Sequence, residues 1–181
     1  MTIGILKEIS DENRVAMLPE SVSALVKMNV TMLVETGAGL AAFANDAEYE
    51  KAGAKVAKKA DVIAQSDVVI KIQPPTTEET AMLKDGQVLL SVLNPYFNTA
   101  LVKELAAKNI TAFSMDVVPR TTRAQAMDIL SSMATVAGYK AVLTAANTLP
   151  KFFPMFMTAA GTIKPANMLI LGAGVAGLQA I

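Results

Sequence analysis

Short apolar runs rich in Val, Ile, Leu and Met recur along the chain, with amphipathic stretches between them. That alternation predicts an α/β fold in which a mostly parallel sheet is covered by helices. The runs place strands at residues 3–6, 31–35, 68–72, 88–92, 111–115 and 168–171, and helices starting near Pro19, Asp46, Thr76 and Thr99. Pro19 suits a first helical turn, and Gly37, Gly53 and Gly86 stand where elements should stop. The acid pair Glu78-Glu79 and the lysine-rich run 55–59 read as solvated helix faces or ends with no functional role.

From 124 to 148 there is neither a proline nor a strand-like block, which predicts one long helix, about 35 Å if unbroken. Ala134, Ala137, Ala141 and Ala145 recur every three or four residues, so one face admits another helix closely. That neighbour belongs either to the helix's own core or to a second subunit. Leu149-Pro150-Lys151-Phe152-Phe153-Pro154 then reads as a connection. The expected organisation is a first domain over 1–125, a connecting helix over 126–148, and the beginning of a second domain over 149–181, cut off at its first turn.

Composition removes several kinds of function. Sixteen basic and sixteen acidic side chains are interspersed, which is not the one-sided basic footprint that a phosphate backbone requires, so nucleic acid is not an expected partner. With no Cys and no His, the chain offers no disulfide framework, thiol nucleophile or zinc site, and no imidazole acid or base. No metal is expected. The first seven residues look like a strand rather than a secretory signal. Lys, Asp, Asn or Pro interrupts the apolar stretches before about 18 residues, so no transmembrane segment is expected and the protein should lie in or face the cytoplasm.

Three groups of residues could carry chemistry. The apolar block 167–171 runs directly into Gly172-Ala173-Gly174-Val175-Ala176-Gly177, a dinucleotide fingerprint in its proper setting between a strand and a helix. Gly172 permits the tight turn, Gly174 lets backbone approach a pyrophosphate, and Gly177 lets helix pack on strand, with helix amides toward the phosphates. Plain turn chemistry is the competing account.

In the second group, Arg120, Gln125 and Asp128 supply a cation, an amide and a carboxylate just before the long helix, a set able to hydrogen-bond a carboxamide and fix a nicotinamide ring. The alternative is capping, since Thr122-x-x-Gln125 fits a capping box and Asp128 would suit the helix dipole. The third group is Arg14, in the loop after the first strand, with Lys71, at the carboxyl end of another. Together they could bind a small carboxylate bearing a carbonyl; separately they are ordinary solvated charges.

These motifs, taken in order, resemble one family. Gly4-Ile5-Leu6-Lys7-Glu8 with Arg14-Val15-Ala16-Met17-Leu18-Pro19, then Glu35-Thr36-Gly37-Ala38-Gly39, Lys71-Ile72-Gln73-Pro74, the stretch from Arg120 to Ser132 and the terminal glycines are similar to the alanine dehydrogenase and pyridine nucleotide transhydrogenase family. The resemblance spans essentially the whole chain. The stretches 119–132, 137–141 and 153–162 resemble its proton-translocating transhydrogenase branch.

The resemblance implies a doubly wound, Rossmann-like first domain and the start of a second Rossmann NAD-binding domain. It implies NAD(H) as cofactor, with NADP(H) on a partner domain, and hydride transfer between them coupled to proton translocation. Arg120, Gln125 and Asp128 would then touch the nicotinamide, with Ser131 beside them. A homodimer, a beta subunit and membrane domains supplied elsewhere follow as partners, with a peripheral place on the cytoplasmic side of the inner membrane. The residues present would be inactive by themselves.

In the amino-acid dehydrogenase branch, Arg14 and Lys71 would correspond to the substrate contacts, and a His would donate a proton from the loop that here reads Leu93-Asn94-Pro95. Reducing an imino or keto acid requires such a proton, whereas hydride passing between two nicotinamides does not. A chain without histidine therefore suits the second reaction better. An amino-acid oxidoreductase and a non-catalytic binding or dimerisation module are the remaining alternatives.

Overall fold

Six strands form one parallel sheet: β1 (Thr2–Ile5), β2 (Thr31–Glu35), β3 (Lys55–Ala57), β4 (Val68–Ile70), β5 (Val88–Ser91) and β6 (Thr111–Ser114). Their order is β3-β2-β1-β4-β5-β6. Helices connect them: α1 (Pro19–Lys27), α2 (Asp46–Lys51), α3 (Lys59–Gln65), α4 (Thr77–Met82) and α5 (Thr99–Ala107). The computed structural model describes residues 1–9 and 11–181, which divide into two compact units, Met1–Val118 and Pro119–Ile181.

Parallel neighbours need crossovers, and the crossover helices cover both faces, so alternate residues of a strand bury on opposite sides. Ile3, Ile5, Met32 and Val34 pack with Val22 of α1 and Tyr49 of α2. Leu33, Val69 and Leu89 pack with Val62 and Ile63 of α3, Leu83 after α4, and Leu105 of α5. Each fully buried Ile or Leu contributes about 1.5–3 kcal/mol, so these two layers dominate the first unit's stability. The doubly wound, Rossmann-like architecture implied by the resemblance is the one observed. At the margin, β6 leaves Thr111, Ala112 and Phe113 exposed.

Four sequence expectations need correction. The run 55–59 is not a solvated helix end: it holds β3 and the first residue of α3. A three-residue strand is too short to show alternation, and its lysines masked it. The long helix does not begin at 124. Thr122–Met127 is a 3₁₀ turn, Asp128 leaves the helical region at φ −78° and ψ 89°, and α6 (Ile129–Thr148) follows, 20 residues and about 30 Å long. The cause is local: the Asp128 carboxylate accepts the Ser131 amide, an N-cap that starts a new helix.

The third correction concerns apolar length. By length and composition α6 could cross a membrane, because one lysine, Lys140, does not offset its Ala, Val and Leu content. A charge at mid-helix is costly in hydrocarbon, and a single helix of this kind is a weak indicator of a span.

The second unit also contains an antiparallel hairpin, β7 (Phe156–Thr158) with β8 (Gly161–Ile163), and α7 (Val175–Ala180). Residues 168–171, expected as a strand, form no ladder among the described residues. An apolar run supplies the tendency, but a strand exists only with a neighbour to pair with.

Candidate functional site

The strand order reverses between β1 and β4, and in open sheets of this kind ligands gather at the carboxyl ends of the strands beside such a reversal. Lys71 follows β4 directly and is buried; its Nζ donates to Glu79 Oε2 at 2.6 Å. Glu79 is 1% exposed and accepts two more bonds, from Lys59 Nζ at 2.8 Å and from the Thr76 amide at 2.9 Å. Burial alone would raise its pKa. The hydrogen bonds from Lys59, Lys71 and Thr76 override that effect and hold the carboxyl at about 2.

From the loop after β1, Glu8 accepts the amides of Ile72 and Gln73, tying the two central strand ends together. Arg14 is exposed and held by Glu12, with Nε to Oε1 at 2.8 Å and a terminal nitrogen to Oε2 at 2.6 Å. The hydrogen bond between them lowers the Glu12 pKa and raises that of Arg14. Arg14 and Lys71 thus each have their own carboxylate and share no hydrogen bond among the described residues.

Glu79 and Glu8 escaped the sequence reading. For Glu79 this is a correction, since it is buried rather than solvated. Its signal was present: Thr76-x-x-Glu79 is a capping box, realised at the start of α4.

In the second unit, Arg120 and Ser131 line a cavity of about 360 Å³ together with Leu130, Ala134 and the glycine turn. Asp128 stands at the head of α6, where Oδ1 accepts the Ser131 amide at 3.0 Å and Oδ2 the Ser131 hydroxyl at 2.6 Å. The bond from the Ser131 hydroxyl is the main reason the Asp128 carboxyl sits below its ordinary pKa, and the charge of Arg120 adds to it. Gln125 is exposed on the 3₁₀ turn before them. The box Thr122-x-x-Gln125 does not form: Thr121 holds the cap position without a side-chain bond, and Asp128 caps α6 instead.

The glycine turn fits a dinucleotide. Gly172 has φ +113°, and a Cβ on Gly177 would lie 2.0 Å from the Gly172 carbonyl oxygen, so the turn closes only with glycine at both places. A Cβ at Gly174 would meet nothing within 4 Å, leaving its backbone open to an approaching group. Among the described residues lining the cavity, Arg120 carries the charge, a cation suited to a pyrophosphate.

Two family models match the chain: "Alanine dehydrogenase/PNT, N-terminal domain" over residues 4–137 and "Alanine dehydrogenase/PNT, C-terminal domain" over residues 141–181. The chain is 45% identical over 182 residues to NAD(P) transhydrogenase subunit alpha of Haemophilus influenzae, covering all of this chain and 35% of that protein. The crystal structure of transhydrogenase from Sinorhizobium meliloti superposes with a TM-score of 0.95 at 44% identity, covering 99% of this chain and 54% of that one. A solved L-alanine dehydrogenase gives a TM-score of 0.87 at 30% identity, covering 99% and 50%. The chain spans about a third to a half of the length of the curated relatives it matches.

Proposed function

Because the chain belongs to the alanine dehydrogenase/PNT family, we propose that it is the amino-terminal part of the NAD(H)-binding component of a proton-translocating NAD(P) transhydrogenase. One observation carries this reading: a single cavity whose walls join Arg120 and Ser131 to the Gly172–Gly177 turn, in a sequence without histidine. When bound, reduced NAD supplies a hydride to NADP⁺ held on a partner domain.

The chain's own residues bind and orient. Backbone of the glycine turn takes the pyrophosphate, and Arg120 and Gln125 offer donors to the carboxamide. Asp128, ionised and fixed by Ser131, accepts from the same group. Leu130 and Ala134 keep that wall apolar and limit water. No proton moves to or from a side chain in this scheme, so the missing imidazole is no obstacle.

The proposal includes a homodimer of this component and a beta subunit carrying the NADP-binding domain. Membrane domains come from elsewhere, and the component lies peripherally on the cytoplasmic side of the inner membrane. It divides the chain into a first domain to 125, a connecting segment over 126–148 whose helix is α6, and the NAD-binding domain from 149.

A second reading, an alanine dehydrogenase-like oxidoreductase, is favoured by Lys71, a fixed ammonium group at the reversal of strand order. The deciding assay uses the complete polypeptide. Hydride exchange from NADH to an NADP analogue that appears only after the NADP-binding partner is added is the expected result. Alanine-dependent NAD reduction without that partner overturns it in favour of the second reading, and neither activity leaves a binding module.

A further inference from the structure

Helix α6 contains one residue that its surroundings leave no room to enlarge. Gly138 is the one buried residue of the helix, and a Cβ there would stand 2.2 Å from the Ala176 carbonyl oxygen and 3.0 Å from the Ala176 Cα. Those are backbone atoms, which cannot rotate aside as a side-chain end can. An added methyl must therefore push α6 and the first turn of α7 apart.

Ala176 lies inside the Gly172–Gly177 turn, and a Cβ on its neighbour Gly177 would meet the Gly172 carbonyl just as closely. Backbone contact thus runs unbroken from the middle of α6 into the turn. At its other end the same helix begins with the Asp128 cap and Ser131, seven residues and about 10 Å before Gly138. One rigid element seats the turn and carries part of the group assigned to the nicotinamide.

We infer that Gly138 is a positioning residue for the dinucleotide: it fixes the separation between the glycine turn and the Arg120–Asp128–Ser131 group. A ligand long enough to engage both is then held in one register. This rests on the NAD(H)-binding reading and extends it to a residue outside the fingerprint, which acts through Ala176. A glycine that only lets helices pack would behave differently, because its loss would weaken every ligand alike.

The test compares NADH, which reaches both ends, with ADP, which reaches only the turn, by calorimetric titration of the complete polypeptide and its Gly138→Ala variant. NADH should bind the variant at least tenfold more weakly while ADP stays within threefold. Equal weakening of both, or of neither, overturns the inference. If the variant does not fold, hydrogen exchange of the unmodified polypeptide decides. NADH should slow the amides of residues 135–141 more than ADP does, and equal slowing is the contrary result. Failure of the unmodified polypeptide to bind NADH at all removes the NAD(H) reading and this inference with it.

Discussion

Two regions of the chain place a carboxylate at a helix start beside basic side chains and use it in opposite ways. At the carboxyl end of the parallel sheet, Glu79 is buried and takes three donors, from Lys71, Lys59 and the Thr76 amide. At the head of α6, Asp128 takes two, both from Ser131, while Arg120 acts on it only through its charge. Nearby Gln125 and Arg120 are exposed. A buried charge must have its partners supplied by the fold, so the first arrangement is architecture. The second leaves Arg120, on the cavity wall, without a side-chain hydrogen bond among the described residues, as the proposed site requires.

The largest effect should come from breaking the buried group. Glu79→Ala leaves Lys71 buried without its counter-ion and should cost about 3–5 kcal/mol in chemical unfolding. A loss under about 1 kcal/mol would mean that water reaches the ammonium group and that the contrast drawn above is wrong. Adding Lys71→Met to that variant should recover much of the loss, since no unpaired charge then remains.

The next effect is acid sensitivity. Glu79 folds with a carboxyl held at about 2, below its ordinary 4.5. Its contribution is therefore complete above pH 4.5 and lost as pH falls toward 2, about 3 kcal/mol in all. The wild type should lose stability across that window while Glu79→Gln, which has no carboxyl to titrate there, stays flat; a flat wild-type profile contradicts the ion-pair account.

At the second region the expectation reverses, with function changing more than folding. Arg120→Ala or Gln125→Ala should slow hydride exchange about 100-fold, through lost orientation, and barely move the thermal midpoint. Folding and exchange failing in parallel would return these residues to a structural role. Ser131→Ala should be mildest, slowing exchange by less than about tenfold, because the Ser131 amide still holds Asp128. An effect as large as that of Arg120→Ala would show the hydroxyl itself meeting the ligand.

Much of the first unit was legible because a doubly wound sheet buries both faces of each strand, and long apolar blocks such as 31–35 announce themselves. What escaped was short or depended on distant partners. β3 is three residues long, the 168–171 block has no neighbouring strand among the described residues, and the role of Glu79 rests on Lys71 and Lys59, 8 and 20 residues away. At the second site Arg120, Gln125 and Asp128 were readable as a set. That Asp128 would end the preceding turn and restart the helix was not, because the same spacing allowed Gln125 to cap.

The chain's first residues do not form a loose tail. β1 lies between β2 and β4, the Thr31 amide donates to the Met1 carbonyl, and the Asp67 amide donates to that of Thr2. Trimming five residues, or fusing a bulky tag flush against Met1, would strike the middle of the sheet rather than its rim. During synthesis the opening segment must also wait for a partner 65 positions downstream, so a ribosome stalled before that point would display a half-paired ribbon.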